Sequence, residues 1–181
     1  MNFIQFETEQ KLRGGYYTPS DLAQFLVAWA AAQKKGQCVL EPSCGDGAFF
    51  PSLARSEATV TAFEISPEEA AKASSRCSGD FKVHNRDFLE WALQAKPRQF
   101  DAVVGNPPFI RYQYLPTDFQ DNAEQVFSRL GCKFTKHTNA WVPFILAGID
   151  LLRPGGRLAM VVPSEIVHVM HAQSLRTFLG Q

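Results

Sequence analysis

The chain has 181 residues, 45% of them hydrophobic, which is enough for one packed domain. Eighteen Lys and Arg balance eighteen Asp and Glu, so the formal net charge is zero and any basic groove for nucleic acid must be local. No stretch reaches the ~20 apolar residues of a membrane span. Four cysteines without metal-ligand spacing, and no signal segment, predict a reducing, cytoplasmic setting.

Alternating strand and helix patterns predict an α/β domain, in which a parallel sheet of about five strands has helices on both faces. An amphipathic helix over residues 19–33, capped by Ser20 or Thr18, comes first. The predicted strands cover residues 38–41, 60–64, 82–84, 102–105 and 157–162. The other predicted helices cover residues 47–56, 67–75, 88–94, 139–152 and 164–179. Residues 110–138 are polar, aromatic and long for a connection, which predicts a functional or disordered loop.

The first predicted strand ends in an acid and continues into a glycine loop, Glu41 to Gly47. Gly45 and Gly47 let the backbone approach a ligand closely at the carboxyl end of a strand, where open α/β sheets bind ligands. Phe50 stands where a pyrophosphate-binding loop has its third Gly or Ala. The spacing therefore favours a cofactor without a pyrophosphate.

Two further acids follow predicted strands. Glu64, at the end of the second strand, is placed to accept hydrogen bonds from ribose hydroxyls. Asp87 is suited to accept from an adenine amino group, with Ile65 and Phe88 on either side of the ring. A single acid in such a position is more often a solvated loop charge. Their shared place at strand ends favours a binding site.

The tetrapeptide Asn106-Pro107-Pro108-Phe109 follows the fourth predicted strand. Asn106 offers a side-chain oxygen, Pro107 offers its carbonyl oxygen, and Phe109 offers a flat face on which a base can stack. Two acceptors suit an exocyclic amino group. For the tetrapeptide alone, a Pro-rich turn that closes a strand is the alternative.

In content and order these motifs resemble the catalytic domain of the S-adenosylmethionine-dependent adenine-N6 DNA methyltransferases whose cofactor motif precedes the catalytic motif. Residues 15–19 resemble the N-terminal motif that closes over the methionine end of the cofactor, and residues 152–163 resemble the turn into the fifth strand. The resemblance implies a Rossmann-like class I methyltransferase fold and catalytic roles for Asn106, Pro107 and Phe109. The cofactor-binding residues that it implies are Tyr17, Thr18, Glu41, Ser43, Gly45, Gly47, Glu64, Ile65, Asp87, Phe88 and Asn106.

The implied reaction is methyl transfer from S-adenosylmethionine to the N6 amino group of an adenine flipped out of DNA. Candidate DNA contacts are basic and aromatic residues near the N-terminus and after the catalytic loop, with a solvated loop as the alternative. They are Lys11, Arg13, Arg111, Tyr112, Tyr114, Lys133, Lys136 and His137. Glu165, His168 and His171 share a helical spacing, but a structural or exposed role is favoured, and no metal is expected.

By the same resemblance the fold continues into two more strands, and a separate target-recognition domain reads the DNA sequence. Residues 1–181 are therefore predicted to be the N-terminal catalytic part of a longer enzyme that contacts DNA mainly through the missing domain. Two alternatives stay open. Enzymes that methylate a glutamine amide in proteins have a similar Asn-Pro-Pro-aromatic loop, although the element at residues 17–19 favours the nucleic-acid class. A non-catalytic subunit that binds the cofactor or DNA is the other.

Overall fold

Five parallel strands form one sheet in the order β3-β2-β1-β4-β5. The computed structural model describes residues 18–31, 35–135 and 138–164. The strands are β1 (Cys38–Glu41), β2 (Thr59–Glu64), β3 (Phe81–Asn85), β4 (Phe100–Gly105) and β5 (Leu152–Met160). The predicted five-stranded parallel sheet is confirmed.

Helices cover both faces of the sheet, as predicted. They are α1 (Ser20–Ala30), α2 (Phe50–Arg55), α3 (Pro67–Ser75), α4 (Phe88–Gln94), α5 (Thr117–Arg129) and α6 (Trp141–Leu151), with a short 3-10 helix at Tyr112–Tyr114. The first three helices pack against one face and the last three against the other. Side chains alternate across a strand, so successive residues are buried on opposite faces of the sheet. Val39 packs in the core beneath α1 to α3, and Leu40 packs in the core beneath α4 to α6.

The chain reverses direction across the sheet at its centre. It runs outward from β1 through β2 to β3, and then returns to place β4 on the other side of β1. In open α/β sheets, the loops that follow two such neighbouring strands leave in opposite directions and form a crevice, here after β1 and β4. Open α/β sheets bind ligands at this point, so the topology alone locates the candidate site.

Residues 110–138 are not a structureless loop, and this prediction was wrong. They contain the 3-10 helix and the 13-residue helix α5. Three residues of α5, namely Ala123, Val126 and Phe127, are buried in the core on one side of the helix. The segment also closes on itself, because Arg111 and Asn139 form an antiparallel bridge and the Ala140 amide donates to the Ile110 carbonyl at 2.8 Å.

Several boundaries differ from the prediction by one or more residues. Helix α1 begins at Ser20 with Pro19 as its N-cap residue, and no side chain caps it. Thr18 precedes the N-cap residue, and its hydroxyl accepts a hydrogen bond from the Asn106 side chain. Strand β5 begins at Leu152, and its register against β4 shifts before Arg157.

The start of α2 moves from residue 47 to Phe50, because Gly45 and Gly47 have positive φ angles that break the helix. The helix predicted over residues 164–179 lies outside the described residues. Among the residues with described structure, no helix is long and apolar enough to cross a membrane.

Candidate functional site

The acidic and amide side chains singled out by the sequence lie at one edge of the sheet. Glu41 ends β1, Glu64 ends β2, Asp87 follows β3 and Asn106 follows β4. All four strands are parallel, so their carboxyl ends share this edge. The site is thus built from four loops on one rigid sheet.

The glycine loop after β1 is held in a conformation that only glycine adopts readily. Gly45 has φ +54° and Gly47 has φ +87°, both in the left-handed region. A methyl group on Gly47 would lie 2.9 Å from the Phe50 ring, so this position excludes a side chain by contact as well. Phe50 is buried and meets Phe81 edge to face at 5.1 Å. Its ring therefore fills the space beside the loop.

Glu64 ties the glycine loop to the end of β2. One carboxylate oxygen accepts the Gly45 amide at 2.9 Å, and the other accepts the Ser66 amide at 2.8 Å. Burial raises the pKa of Glu64, and the hydrogen bonds from these two backbone amides partly oppose that rise. The Gly45 amide is thus satisfied by a carboxylate, which argues against a phosphate in this loop. A carboxylate has capacity for further donors, such as ribose hydroxyls.

Glu41 is the most unusual residue of the site. Its side chain is fully buried, and neither carboxylate oxygen has a hydrogen-bond partner in the described structure. Burial raises its pKa well above the usual range, and the charges of Asp46 and Glu64 add to the effect. A buried polar group normally finds a partner. An acceptor without a partner among the described residues, at this edge of the sheet, is a candidate to accept a hydrogen bond from a ligand.

Asp87 is the N-cap residue of α4. Its Oδ1 accepts the Leu89 amide at 2.8 Å, and its Oδ2 accepts the side-chain amide of Asn122, on α5, at 3.0 Å. Burial raises the pKa of Asp87, whereas the bonds from Leu89 and Asn122 lower it. Asn122 was missed at the sequence level because α5 was missed.

The two apolar residues predicted to enclose an adenine ring lie in different surroundings. Ile65 is 66% exposed and can line a binding surface. Phe88 is only 2% exposed, and its ring packs against Phe63 and Phe144 at centroid distances of 5.6 and 5.4 Å. Burial of this ring in the core does not fit the prediction that Phe88 lies against an adenine ring.

The loop after β4 is joined to two other parts of the site. The Ser43 hydroxyl donates to the Asn106 main-chain carbonyl at 3.2 Å. The Asn106 side-chain Nδ2 donates to the Thr18 hydroxyl at 3.3 Å. Pro107 is buried, and Phe109 is half-buried against the core. These contacts fix the orientation of the amide relative to the glycine loop. Tyr17 lies outside the described residues.

The candidate DNA contacts after this loop divide by exposure. Arg111 and Lys133 are exposed, and Tyr114 is 62% exposed. Tyr112 is 6% exposed, its hydroxyl donates to the Glu124 carboxylate, and its ring packs against Phe134. The interpretation of Tyr112 as a base-stacking residue was wrong, because this aromatic ring anchors α5. Four other candidates lie outside the described residues: Lys11, Arg13, Lys136 and His137.

The part of the chain with described structure contains no group of three His, Cys, Asp or Glu residues placed to hold a metal ion. Glu165, His168 and His171 lie outside that part. The four cysteines are free thiols, and Cys44 is buried within the glycine loop.

Comparison with known proteins gives matches along the whole chain. The family model of the Eco57I restriction-modification methylases matches residues 52–181, and that of the N-6 DNA methylases matches residues 3–69. The type II methyltransferase M.AccI of Acinetobacter calcoaceticus is 25% identical over 166 residues, which are 91% of this chain and 30% of the relative. M.TthHB8I of Thermus thermophilus is 30% identical over 175 residues, which are 93% of this chain and 39% of the relative. The chain thus spans about a third of the length of these curated relatives.

Solved structures share the fold at low sequence identity. A class I S-adenosylmethionine-dependent methyltransferase from Listeria monocytogenes superposes with a TM-score of 0.74 at 19% identity, over 92% of this chain and 52% of that one. An S-adenosylmethionine-dependent O-methyltransferase from Thermotoga maritima gives 0.56 at 20% identity, over 96% of this chain and 54% of that one. The fold is therefore the Rossmann-like class I methyltransferase fold, as predicted.

Proposed function

Because the chain belongs to the Eco57I restriction-modification methylase family, we propose that it transfers a methyl group from S-adenosylmethionine to the N6 amino group of an adenine in DNA. The match of residues 3–69 to the N-6 DNA methylase model and the type II methyltransferases among the relatives support this choice. The observation that carries the proposal is the bond between Ser43 and Asn106, which sets the predicted catalytic amide beside the glycine loop.

The donor and acceptor groups of the site fit this cofactor. The glycine loop and its surroundings present three acidic groups, Glu41, Asp46 and Glu64; Asp46 is paired with Arg76 at 2.7 Å, and the Gly45 amide is already bonded to Glu64. Such a set suits ribose hydroxyls and positive charge, whereas it repels a pyrophosphate. Glu64 would accept from the ribose, Asp87 from the adenine amino group, and the Glu41 to Gly47 loop would surround the methionine part. When bound, S-adenosylmethionine supplies an electrophilic methyl group.

Asn106 and Pro107 act on the nucleophile. An adenine amino nitrogen is a poor nucleophile because its lone pair is delocalised into the ring. The Asn106 side-chain oxygen and the Pro107 carbonyl would accept its two N–H groups, hold the nitrogen in place and favour a pyramidal geometry. The contact with Thr18 keeps the amide turned so that its nitrogen is already engaged. Positioning of this kind is worth up to ~7–11 kcal/mol.

The target adenine must leave the DNA stack to reach this loop, at a cost of a few kcal/mol. Stacking on Phe109, at roughly 1–3 kcal/mol, would offset part of the cost. Exposed Arg111 and Tyr114 follow within the next residues and suit the phosphate backbone and an unstacked base. We assign recognition of the DNA sequence to the part of the relatives' length that this chain does not span, and we place the reaction in the cytoplasm.

Replacement of Asn106 by Ala tests the proposal. In single turnover with methyl-labelled cofactor and adenine-containing DNA, Asn106→Ala should abolish transfer while calorimetry shows a cofactor affinity within a few-fold of the unsubstituted protein. Gln113→Ala, which removes an exposed amide nearby, is the matched control and should transfer normally. Mass spectrometry of the digested DNA should find N6-methyladenine. Label in cytosine or in protein, or near-normal transfer by Asn106→Ala, would contradict the proposal.

A further inference from the structure

Helix α5 holds α4 at both of its ends. In the middle of α5, the Asn122 side chain donates to Asp87, the N-cap residue of α4. At the end of α5, the Arg129 guanidinium donates to the main-chain carbonyls of Ala92 and Leu93 at 3.2 and 3.1 Å, at the carboxyl end of α4. The second contact is purely structural, whereas the first reaches a carboxylate of the candidate site.

The Asn122 bond fixes the orientation of the Asp87 carboxylate. Its Oδ1 is bound by the Leu89 amide and its Oδ2 by Asn122, so the plane of the group cannot rotate without loss of a bond. A carboxylate has four acceptor positions, and the donors from Leu89, Asn122 and the Glu90 amide leave at least one of them open. Asn122 is half-buried, and its neighbour Ala123 is packed in the core, so the donor is held firmly.

We infer that Asn122 is a positioning residue for the cofactor: it aims the open acceptor positions of Asp87 at the exocyclic amino group of the cofactor adenine and so sets the preference for adenine over a base without that group. The inference rests on the proposed function, in which Asp87 meets that adenine. It also gives helix α5, which follows the catalytic loop, a role in cofactor binding.

The bond has a second effect, on the charge of Asp87. The bonds from Leu89 and Asn122 lower the pKa of a carboxyl that burial raises, and the charge of Glu90 in the first turn of α4 also raises it. Glu90 is itself paired with Arg86 at 3.1 Å. Loss of the Asn122 donor therefore moves the pKa of Asp87 upward. As the pH is lowered, Asp87 then takes up its proton at a higher pH, and binding of an amino-group donor should begin to weaken there.

Two ligands that differ at the purine 6-position test the inference. S-Adenosylhomocysteine carries the amino group there, and S-inosylhomocysteine has an oxo group in its place and a hydrogen on N1. We expect Asn122→Leu, which keeps the size and removes the donor, to weaken calorimetric binding of S-adenosylhomocysteine about three- to tenfold, as loss of one hydrogen bond should. Binding of S-inosylhomocysteine should change less than twofold, so the preference for the adenosyl ligand shrinks.

Arg129→Met is the structural control, because it loosens the other end of α4 without a change at Asp87. It should lower the unfolding midpoint and leave the ratio of the two affinities as it was. If Asn122→Leu does not fold, Asn122→Ser replaces it, because a serine hydroxyl is too short to reach Asp87. In the folded variant, binding of S-adenosylhomocysteine should also decline as the pH is lowered, and this decline should begin at a higher pH than in the unsubstituted protein.

The outcomes separate the inference from the function. An unsubstituted protein that binds S-adenosylhomocysteine, together with an Asn122 variant that keeps the full adenosyl preference and the original pH profile, overturns the inference and leaves the proposed function standing. Equal weakening of both ligands also overturns it, because a purely structural role would have that result. An unsubstituted protein that does not bind S-adenosylhomocysteine overturns both.

Discussion

The Ser43 hydroxyl donates to the Asn106 carbonyl at 3.2 Å, and this bond joins the loop after β1 to the loop after β4. The two strands are neighbours in the sheet, so the loops start close together and then diverge. Gly105, the last residue of β4, lies beside the same loop: a methyl group on it would be in van der Waals contact with the Pro42 ring at 3.4 Å. The proposed donor and acceptor sites thus share one close junction.

Ser43→Ala should slow methyl transfer more than it weakens cofactor binding, because the lost donor orients the catalytic loop. We expect a single-turnover rate about threefold to tenfold lower, from loss of one hydrogen bond. Ser75→Ala, which removes an exposed hydroxyl bonded only within α3, is the control and should be unaffected. A Ser43→Ala variant that loses affinity and keeps its rate would show that the hydroxyl serves the cofactor instead.

Gly47→Ala should destabilise the protein and abolish cofactor binding. The positive φ angle costs about 1–3 kcal/mol for a residue with a side chain, and the contact with Phe50 adds to it. Gly79→Ala separates the two effects, since Gly79 has φ +102° but its nearest neighbour would lie 3.8 Å away. Urea unfolding of both variants measures the difference. Equal losses would mean that Phe50 moves aside at no cost.

Glu41→Gln should change how stability depends on pH. The pKa of Glu41 is raised in the folded state, so between its ordinary value of 4.5 and that raised value the folded protein keeps a proton that the unfolded chain releases. The contribution of this group is therefore fully present at acid pH and is lost as the pH rises. Without cofactor, the stability of Glu41→Gln relative to the unsubstituted protein should rise with pH, by up to about 1.4 kcal/mol per pH unit.

Urea unfolding at pH 5, 6, 7 and 8 checks this expectation. Glu57→Gln is the control, because Glu57 is an exposed partner of Lys35 and such surface pairs are worth about 0–1 kcal/mol. Parallel pH profiles for Glu41→Gln and the unsubstituted protein would mean that Glu41 is already ionised in the folded state. The same variant should bind the cofactor less well at pH values at which Glu41 of the unsubstituted protein is ionised, since only there is a carboxylate lost from the site.

Phe109→Ala should weaken binding of DNA with an accessible target adenine and spare the cofactor. Removal of one stacking ring costs roughly 1–3 kcal/mol per base, so we expect a several-fold or greater loss. Phe109→Tyr keeps the ring and should retain binding. Fluorescence of a 2-aminopurine placed at the target position reports the unstacked base. A normal signal with Phe109→Ala would assign the stacking to another residue, with exposed Tyr114 as the next candidate.

The strand ends that carry the candidate site could be predicted from sequence, because short patterns of apolar, acidic and glycine residues mark them. An apolar run that ends in an acid and two glycines locates the end of β1 at Glu41, and the structure agrees to the residue. The same holds for the fold order, since alternating elements favour a parallel sheet. The acids at strand ends share one edge for the same reason.

The rest depends on packing that no local rule reports. Helix α5 was hidden by its polar composition, although Phe119, Ala123, Val126, Phe127 and Leu130 follow a helical spacing. Aromatic residues were the other difficulty, because a ring that suits a base also suits a core. Phe88 and Tyr112 are buried in the core, whereas Tyr114 is exposed. The link between Asn122 and Asp87 spans 35 residues and needed the fold itself.

The bridge between Arg111 and Asn139 brings the two ends of residues 112–138 together, so that this segment forms a closed excursion from the rest of the fold. The hydrogen bond between Ala140 and Ile110 connects the loop after β4 directly to the start of α6. A change in the length of residues 112–138 therefore need not move that loop or α6. An insertion at the exposed turn around Gly131 would cost only about 0.6 kcal/mol for each doubling of loop length. Such a turn can diversify, provided that the core side of α5 is kept, while the position of Asn106 and its proposed role stay unchanged.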